Sequence, residues 1–269
     1  MHTHTVFSDG RDPAEAVVGA ALRLGFHTLG FTDHGFAAYD DAAMPADAIP
    51  RYCAEIQRLR EKYAGQIHLR LGIERDFLSG LDLSPYEYAI ESVHYIRSGG
   101  DLLAVDMSRK AFVEGIRTHF GGDPYAFCRE YFRTVAASCA SEALILGHMD
   151  LVMKFNEARD LFDDTDPRYL KPALEAADAA ADSGKLVEIN TGAMARGYRT
   201  QPYPGPAMLK RLAERRVPVI ITSDCHDSAL LDCGFAVCAE LARACGFKTV
   251  LEARGDEFVE IPLEVDQHA

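Results

Sequence analysis

Short apolar runs alternate with amphipathic stretches along almost the whole chain. The apolar runs are rich in β-branched and aliphatic residues and are short, which is typical of buried strands. The stretches between them repeat apolar residues at the spacing of a helix face, as in DPAEAVVGAALRLG, RYCAEIQRLREKYA and PRYLKPALEAADAAADSG. The predicted strands cover residues 2–6, 28–32, 67–73, 88–93, 143–146, 186–190 and 217–222.

Strands that alternate with helices predict a parallel sheet with right-handed crossovers. The sequence contains seven such units and no GxGxxG or Walker motif, which favours an α/β barrel over a dinucleotide-binding fold. No linker or repeat marks a boundary, so we expect a single barrel domain over 1–269. A C-terminal hairpin appendage around 247–265, turning at RGD, is expected outside the barrel pattern.

Local signals mark several helix ends. Asp12 and Pro13 are predicted as the N-cap and first residue of the first helix. Gly25 and Gly184 are predicted to end helices, because glycine adopts the left-handed conformation found there.

Six of the seven predicted strands carry a His, Asp or Glu at or near an end. His2 and His4 are two residues apart, so their side chains would share one face of an extended strand. The carboxyl ends of barrel strands meet on one face, where many buried titratable groups are costly unless they pair or bind metal. The candidate metal ligands are His2, His4, Asp9, His34, Glu74, His94, His148, Asp224 and His226.

Nine candidates exceed the three protein ligands that a catalytic zinc usually takes, so two to three divalent metal ions are expected. Glu74 has two carboxylate oxygens and can bridge a pair of ions. Imidazole and carboxylate ligands suit Zn, Mn or Fe equally. Asp33 is predicted to contact a ligand imidazole and not to bind metal itself. Four histidines do not fit the pattern: His27, His68, His119 and His268. His27 and His68 are predicted to be structural. His119 is predicted to be a solvated residue at a helix end, although the loop after it could reach the site.

Composition narrows the choice of partners. The chain has 269 residues and a formal net charge of −13, which argues against a protein that binds the phosphate backbone of a nucleic acid. An anionic substrate would need a local positive centre. The sequence has no apolar run long enough to span a membrane and no signal peptide, so a cytoplasmic location is expected. Seven cysteines without CxxC spacing indicate reduced thiols, and the oligomeric state stays open.

Six separated motifs occur in this order over nearly the whole chain: HTHTVFSDG, FTDHG, GIERDF, ESVHYI, GHMDLV and TSDCH. Together they resemble the PHP (polymerase and histidinol phosphatase) superfamily. The resemblance implies a distorted (β/α)7 TIM-like barrel, a trinuclear metal centre at the carboxyl ends of the strands and phosphoester hydrolysis, with ligands at the nine positions above. SVH, GHMDLV and the EINTG…R…YP stretch are most similar to histidinol-phosphatases of this superfamily, which implies a metal-dependent phosphomonoesterase of histidine biosynthesis with a small phosphorylated substrate.

The resemblance also implies roles for individual residues. Lys154 and Arg196 are expected to bind the phosphate, although the family often has Arg where this chain has Lys154. Glu74 and Asp224 are expected to be catalytic, with Asp224 or a nearby histidine protonating the leaving alkoxide. The family usually places an Asp two residues before the first histidine, and this sequence begins at Met1.

Two other functions remain open from the sequence. One is a nucleotide phosphatase or nuclease of the same superfamily, and the absence of a basic face argues against a polymeric substrate. The other is a non-catalytic metal-binding module, which the presence of all nine candidate ligands disfavours.

Overall fold

The computed structural model describes residues 1–263, which form a curled sheet surrounded by helices. The strands are β1 (Thr28–Phe31), β2 (His68–Asp76), β3 (Tyr88–Ser92), β4 (Tyr95–Ser98), β5 (Asp101–Ala104), β6 (Ile145–Leu146), β7 (Leu186–Asn190), β8 (Val219–Thr222), β9 (Thr249–Arg254) and β10 (Glu257–Pro262). The α-helices are α1 (Ala14–Arg23), α2 (Ile49–Lys62), α3 (Arg109–His119), α4 (Pro124–Ser138), α5 (Pro167–Ser183), α6 (Gly192–Ala195), α7 (Pro206–Glu214) and α8 (Phe235–Cys245). Residues 264–265 of the predicted appendage and His268 lie outside the described residues, and a single domain over 1–269 stays a prediction.

The main sheet has eight strands in the order β1-β2-β3-β6-β7-β8-β9-β10. Within residues 1–263, neighbouring strands of this sheet are parallel from β1 to β9, whereas β10 runs antiparallel to β9. The predicted α/β class with parallel strands is therefore confirmed, and the predicted distorted barrel takes the form of a curled eight-stranded sheet. Because the strands are parallel, their carboxyl ends lie along one edge, where the predicted ligands cluster.

The N-terminal segment differs from the prediction of a strand over 2–6. Thr3 alone forms a bridge, parallel to Cys225. The backbone N–H of His4 donates to Cys225 O at 2.8 Å, and the N–H of Thr32 donates to Thr3 O at 2.9 Å. The chain then turns, because Gly10 N–H donates back to the carbonyl of residue 5 at 3.0 Å. The segment therefore spans the gap between the ends of β1 and β8 without becoming a regular strand.

Helices cover the outer face of the sheet. Helix α5 packs alanines against its neighbours α4 and α7, and small side chains allow the helices to approach closely. Apolar side chains of α1 and α2 form a second cluster over β1 and β2, with Tyr52 and Ile56 fully buried. Within residues 1–263, no helix is both long and apolar enough to cross a membrane.

Two of the three predicted helix-end signals hold. Gly25 and Gly184 have φ of 75° and 70°, the left-handed conformation that glycine adopts without strain. The prediction for Asp12 was wrong. Pro13 is the residue that precedes α1, and the Asp12 carboxylate instead accepts a hydrogen bond from the N–H of Ser228 at 2.8 Å.

Two hairpins flank this framework. The sequence did not predict the β4–β5 hairpin, whose two-residue turn has Gly99 and Gly100 at positive φ. The C-terminal β9–β10 hairpin turns at Gly255, with φ of 64°. Because Leu251 pairs in parallel with Ile220 of β8, this hairpin continues the main sheet and does not lie outside it.

Candidate metal centre

All nine predicted ligands lie together at the carboxyl edge of the sheet. Each of them has a side-chain nitrogen or oxygen within 3.7 Å of a matching atom on another member. We call this set the nine-residue cluster: His2, His4, Asp9, His34, Glu74, His94, His148, Asp224 and His226.

Glu74 lies at the middle of the cluster and is 1% exposed. It is part of β2, and the strands on either side bring histidines to it. Its Oε2 faces three imidazole nitrogens, His34 Nδ1 at 2.9 Å, His2 Nε2 at 3.3 Å and His4 Nε2 at 3.4 Å. Its Oε1 faces two, His148 Nε2 at 3.0 Å and His94 Nε2 at 3.5 Å. One carboxylate thus faces histidines on both of its oxygens, as a bridging ligand would.

Asp9 and His226 form the more open side of the cluster. Asp9 Oδ2 lies 3.2 Å from His226 Nε2, and Asp9 Oδ1 lies 3.6 Å from His34 Nε2. The Asp9 side chain is 36% exposed, whereas that of His4 behind it is fully buried. This side of the cluster is therefore more accessible to solvent than the side formed by His2 and His4.

Asp224 lies two residues after β8, in irregular backbone. Its φ of 45° is left-handed, a conformation that aspartate tolerates better than most residues. Its Oδ1 lies 3.1 Å from His4 Nε2 and 3.5 Å from His2 Nε2. A Cβ on Gly192 would lie 2.5 Å from Asp224 Oδ2, so glycine is required where α6 begins.

Several buried polar atoms of the cluster have no hydrogen-bond partner. They are His2 Nε2, His4 Nδ1, His4 Nε2, Glu74 Oε2, His94 Nδ1 and His148 Nδ1. Leaving such atoms buried and unpaired costs free energy, and a cation would satisfy those that face the centre. The cluster contains three sets of residues, and within each set the donor atoms lie within 4.8 Å of one another. The sets are His2, His4 and Glu74; His34, Glu74 and His94; and His4, Asp9, His34 and His226. The residues therefore fit more than one divalent ion.

The electrostatics keep the carboxylates ionised. Burial alone would raise the pKa of Glu74, but the neighbouring His34 and His2 hold it well below its usual range. The pKa of Asp224 is likewise held far down, since Arg196 and His2 outweigh burial. An ionised Asp224 favours a ligand role over the donation of a proton. Burial, together with His226 and His34, lowers the pKa of His4 to about 3, which leaves a neutral imidazole with a free lone pair.

A cavity of about 230 Å³ opens over the cluster and includes both predicted phosphate-binding residues. Arg196 Nη2 lies 3.1 Å from Asp224 Oδ2. Lys154 Nζ lies 2.9 Å from Asp106 Oδ2 and 5.2 Å from the centre of the Tyr198 ring. Both cations thus line the cavity, and each already has a carboxylate partner.

Sequence reasoning missed two acidic residues here. Asp106 follows the unpredicted β4–β5 hairpin and lines the cavity. Glu188 is fully buried within β7, with Oε2 2.8 Å from His2 Nδ1. An isolated Glu inside the apolar run LVEIN was the available signal. The prediction for Asp33 was wrong, because its carboxylate accepts hydrogen bonds from the backbone N–H groups of Thr5 and Ser8 and supports their turn.

Comparison with known proteins places this geometry in a family. The model of the PHP domain matches residues 1–192. The "Probable histidinol-phosphatase" of Deinococcus radiodurans is 32% identical over 246 residues, covering 86% of this chain and 86% of that protein. The histidinol-phosphatase of Bacillus subtilis is 26% identical over 268 residues, covering 90% of this chain and 97% of that protein.

Solved structures share the fold. One from Listeria monocytogenes superposes with a TM-score of 0.79 at 20% identity, covering 88% of this chain and 98% of that one. The histidinol phosphate phosphatase of Lactococcus lactis, in complex with zinc, L-histidinol and phosphate, has a TM-score of 0.67 at 19% identity and covers 96% of this chain and 97% of that one. The six motifs, the curled parallel sheet and the family match together establish that this chain belongs to the PHP domain family.

Proposed function

We propose that this protein is a metal-dependent phosphomonoesterase that hydrolyses histidinol phosphate, the reaction named for its relatives in Deinococcus and Bacillus. One observation carries the chemistry: an ionised, buried Glu74 faces five imidazoles, with unpaired nitrogen and oxygen atoms left between them. Such a site is suited to divalent cations. Bound there, the ions would activate water and neutralise charge on a phosphoryl group.

We further propose that two to three ions bind, of Zn, Mn or Fe. Glu74 belongs to two of the three donor sets, so it would be shared between two ions. The third set, with Asp9 and His226, forms the exposed side of the cluster. Imidazole and carboxylate donors without a thiolate suit all three metals.

The cavity wall supports a small anionic substrate. Arg196 and Lys154 supply positive charge beside the cluster in a chain whose net charge is −13. Arg196, whose terminal nitrogens contact Asp224 and His226, carries a planar guanidinium suited to phosphate oxygens, and Lys154 carries a point charge. A cavity of about 230 Å³ has room for a small phosphate ester.

The test is a phosphate-release assay with the purified protein on histidinol phosphate, nucleoside monophosphates and an aryl phosphate. Protein stripped with a chelator is the matched control, and Zn, Mn and Fe are added back separately. We expect histidinol phosphate to give the highest kcat/KM and the stripped protein to be inactive until metal is restored. Preferred hydrolysis of nucleotides would replace the substrate assignment, and full activity after chelation would refute metal dependence.

A further inference from the structure

Glu188 is a buried carboxylate that the cluster as predicted does not include. It lies on β7 between β6 and β8, and it is 0% exposed. A buried carboxylate is costly unless several hydrogen bonds satisfy its lone pairs. The partners of Glu188 therefore indicate what keeps it there.

Four donors from four parts of the chain converge on this carboxylate. Its Oε2 accepts hydrogen bonds from His2 Nδ1 at 2.8 Å and from the Thr222 hydroxyl at 2.6 Å. Its Oε1 accepts from the backbone N–H of His148 at 2.7 Å and from Asn190 Nδ2 at 2.9 Å. Every partner can donate, so an ionised carboxylate satisfies them all. A glutamine amide would direct its own N–H groups at two of these donors.

The contact with His2 decides which ring nitrogen faces the cluster. A ring that donates Nδ1–H to Glu188 leaves Nε2 as the nitrogen with a free lone pair. That Nε2 is buried without a hydrogen-bond partner and lies 3.3 Å from Glu74 Oε2. A carboxylate behind a ligand imidazole fixes its tautomer and orientation and raises its basicity.

The same carboxylate also positions chain segments. His2 belongs to the N-terminal segment, which backbone hydrogen bonds hold between the ends of β1 and β8. Side-chain contacts with Thr32 and Asp33 hold the segment further along, and the contact with Glu188 holds its first residues. Through His2, Thr222 and the backbone of His148, Glu188 connects that segment to β8 and to the end of β6.

We propose that Glu188 is a positioning residue that sets the tautomer and orientation of His2 for metal binding and fixes the N-terminal segment to the sheet. The proposal rests on the proposed metal centre. It concerns metal affinity, so it can be tested apart from the choice of substrate.

The experiment compares wild type with Glu188→Gln. Zinc affinities of the metal-free proteins are measured by competition with a chromophoric chelator, and the His2 tautomer by ¹⁵N NMR of the histidine rings. We expect Glu188→Gln to weaken one class of zinc site by about 10- to 100-fold and to remove the preference for Nδ1–H at His2. The other zinc sites should keep their affinity.

Thr222→Val is the matched control, because it removes a neighbour of the same oxygen and leaves the charge and the contact with His2. Its zinc affinities should stay within about threefold of wild type. If Glu188→Gln does not fold, Glu188→Asp retains the charge but withdraws it from His2, and it should show a smaller loss at the same site.

Two outcomes would overturn the proposal. One is a folded Glu188→Gln or Glu188→Asp protein with wild-type zinc affinities and His2 tautomer, even if its thermal midpoint falls, because that pattern is purely structural. The other is an equal loss in Thr222→Val. Histidinol phosphate hydrolysis by wild type is assayed in parallel, so an inactive wild type with the expected zinc data would reject the proposed substrate and keep this inference.

Discussion

Glu74 and Arg75 are neighbours on β2, but they lie on opposite faces of the sheet, and the buried charges around them are satisfied to different degrees. On the outer face, Arg75 pairs with Glu91, with Nη2 to Oε2 at 2.6 Å and Nε to Oε1 at 3.1 Å. Its remaining nitrogen donates to the carbonyl of Leu81 and to Glu142, each at 2.9 Å. On the inner face, Glu74 has Oε2 near three imidazoles and no hydrogen bond to that oxygen.

The two regions differ in whether their own side chains satisfy every buried donor and acceptor. The outer pair satisfies its own donors and acceptors in a planar fork-to-carboxylate arrangement. The inner region holds charge and lone pairs that its own side chains do not satisfy, which is costly in a folded core. The difference distinguishes a structural ion pair from a site built for a cation.

The largest effect should come from Glu74→Gln, which replaces the carboxylate at the middle of the cluster by a neutral amide. Glu74→Gln removes the carboxylate that we propose two ions would share, so we expect kcat/KM to fall by roughly 10³-fold or more, the equivalent of several kcal/mol of charge stabilisation. Zinc content, measured by elemental analysis, should fall with it.

Glu91→Gln is the matched control on the outer face. It should lower the free energy of unfolding but leave zinc content and activity per folded molecule unchanged. Equal zinc loss in both variants would contradict the distinction between the two regions.

Removing the cation of the outer pair should produce a large effect on stability alone. Arg75→Met leaves Glu91 buried without its partner, so we expect a loss of about 3–5 kcal/mol in the free energy of unfolding. Urea denaturation measures it. The double variant Arg75→Met with Glu91→Met should recover much of that loss. If it recovers none, the loss does not come from leaving Glu91 without a charged partner.

A smaller effect is expected from the cation that lies next to the inner region. Arg196→Ala should lower kcat/KM by about 10- to 100-fold through loss of a charge-assisted contact with phosphate, while zinc content stays the same. Arg109→Ala provides a control, since Arg109 is an exposed arginine paired with Asp160. Wild-type kinetics in Arg196→Ala would remove Arg196 from the substrate site.

The smallest effect should be that of Lys154→Arg. Arginine can hold both Asp106 and a phosphate oxygen with its planar fork, so we expect kcat/KM to change by less than about threefold. Steady-state kinetics on histidinol phosphate test this. A tenfold loss would mean that the compact ammonium group of Lys154 is itself required.

The sequence predicted the fold class and predicted that the nine side chains of the cluster would lie close together. Strand-helix alternation indicated the parallel sheet, and strands β7 and β3 lie where apolar runs predicted them, at Leu186–Asn190 and Tyr88–Ser92. Histidines at strand ends converge because parallel strands end on one edge. The roles of the nine residues as ligands stay predictions.

Other features were missed because their signals are short or ambiguous. The β4–β5 hairpin has strands of only four residues, and its apolar pattern merges with that of β3. Asp33 adjoins a candidate ligand in sequence, yet its carboxylate supports the turn after Thr5. Adjacency along the chain does not define contact in space.

What the sequence alone determined was that the nine predicted residues lie at the carboxyl edge, because strand-helix alternation can be read along the chain and implies parallel strands whose ends meet there. What only the tertiary structure decided was how those groups are partnered. The contact between His2 and Glu188 joins residues 186 positions apart, and that between Lys154 and Asp106 joins residues 48 apart. The N-terminal segment likewise takes its shape from the ends of β1 and β8, since its hydrogen-bond partners exist only once the sheet has curled.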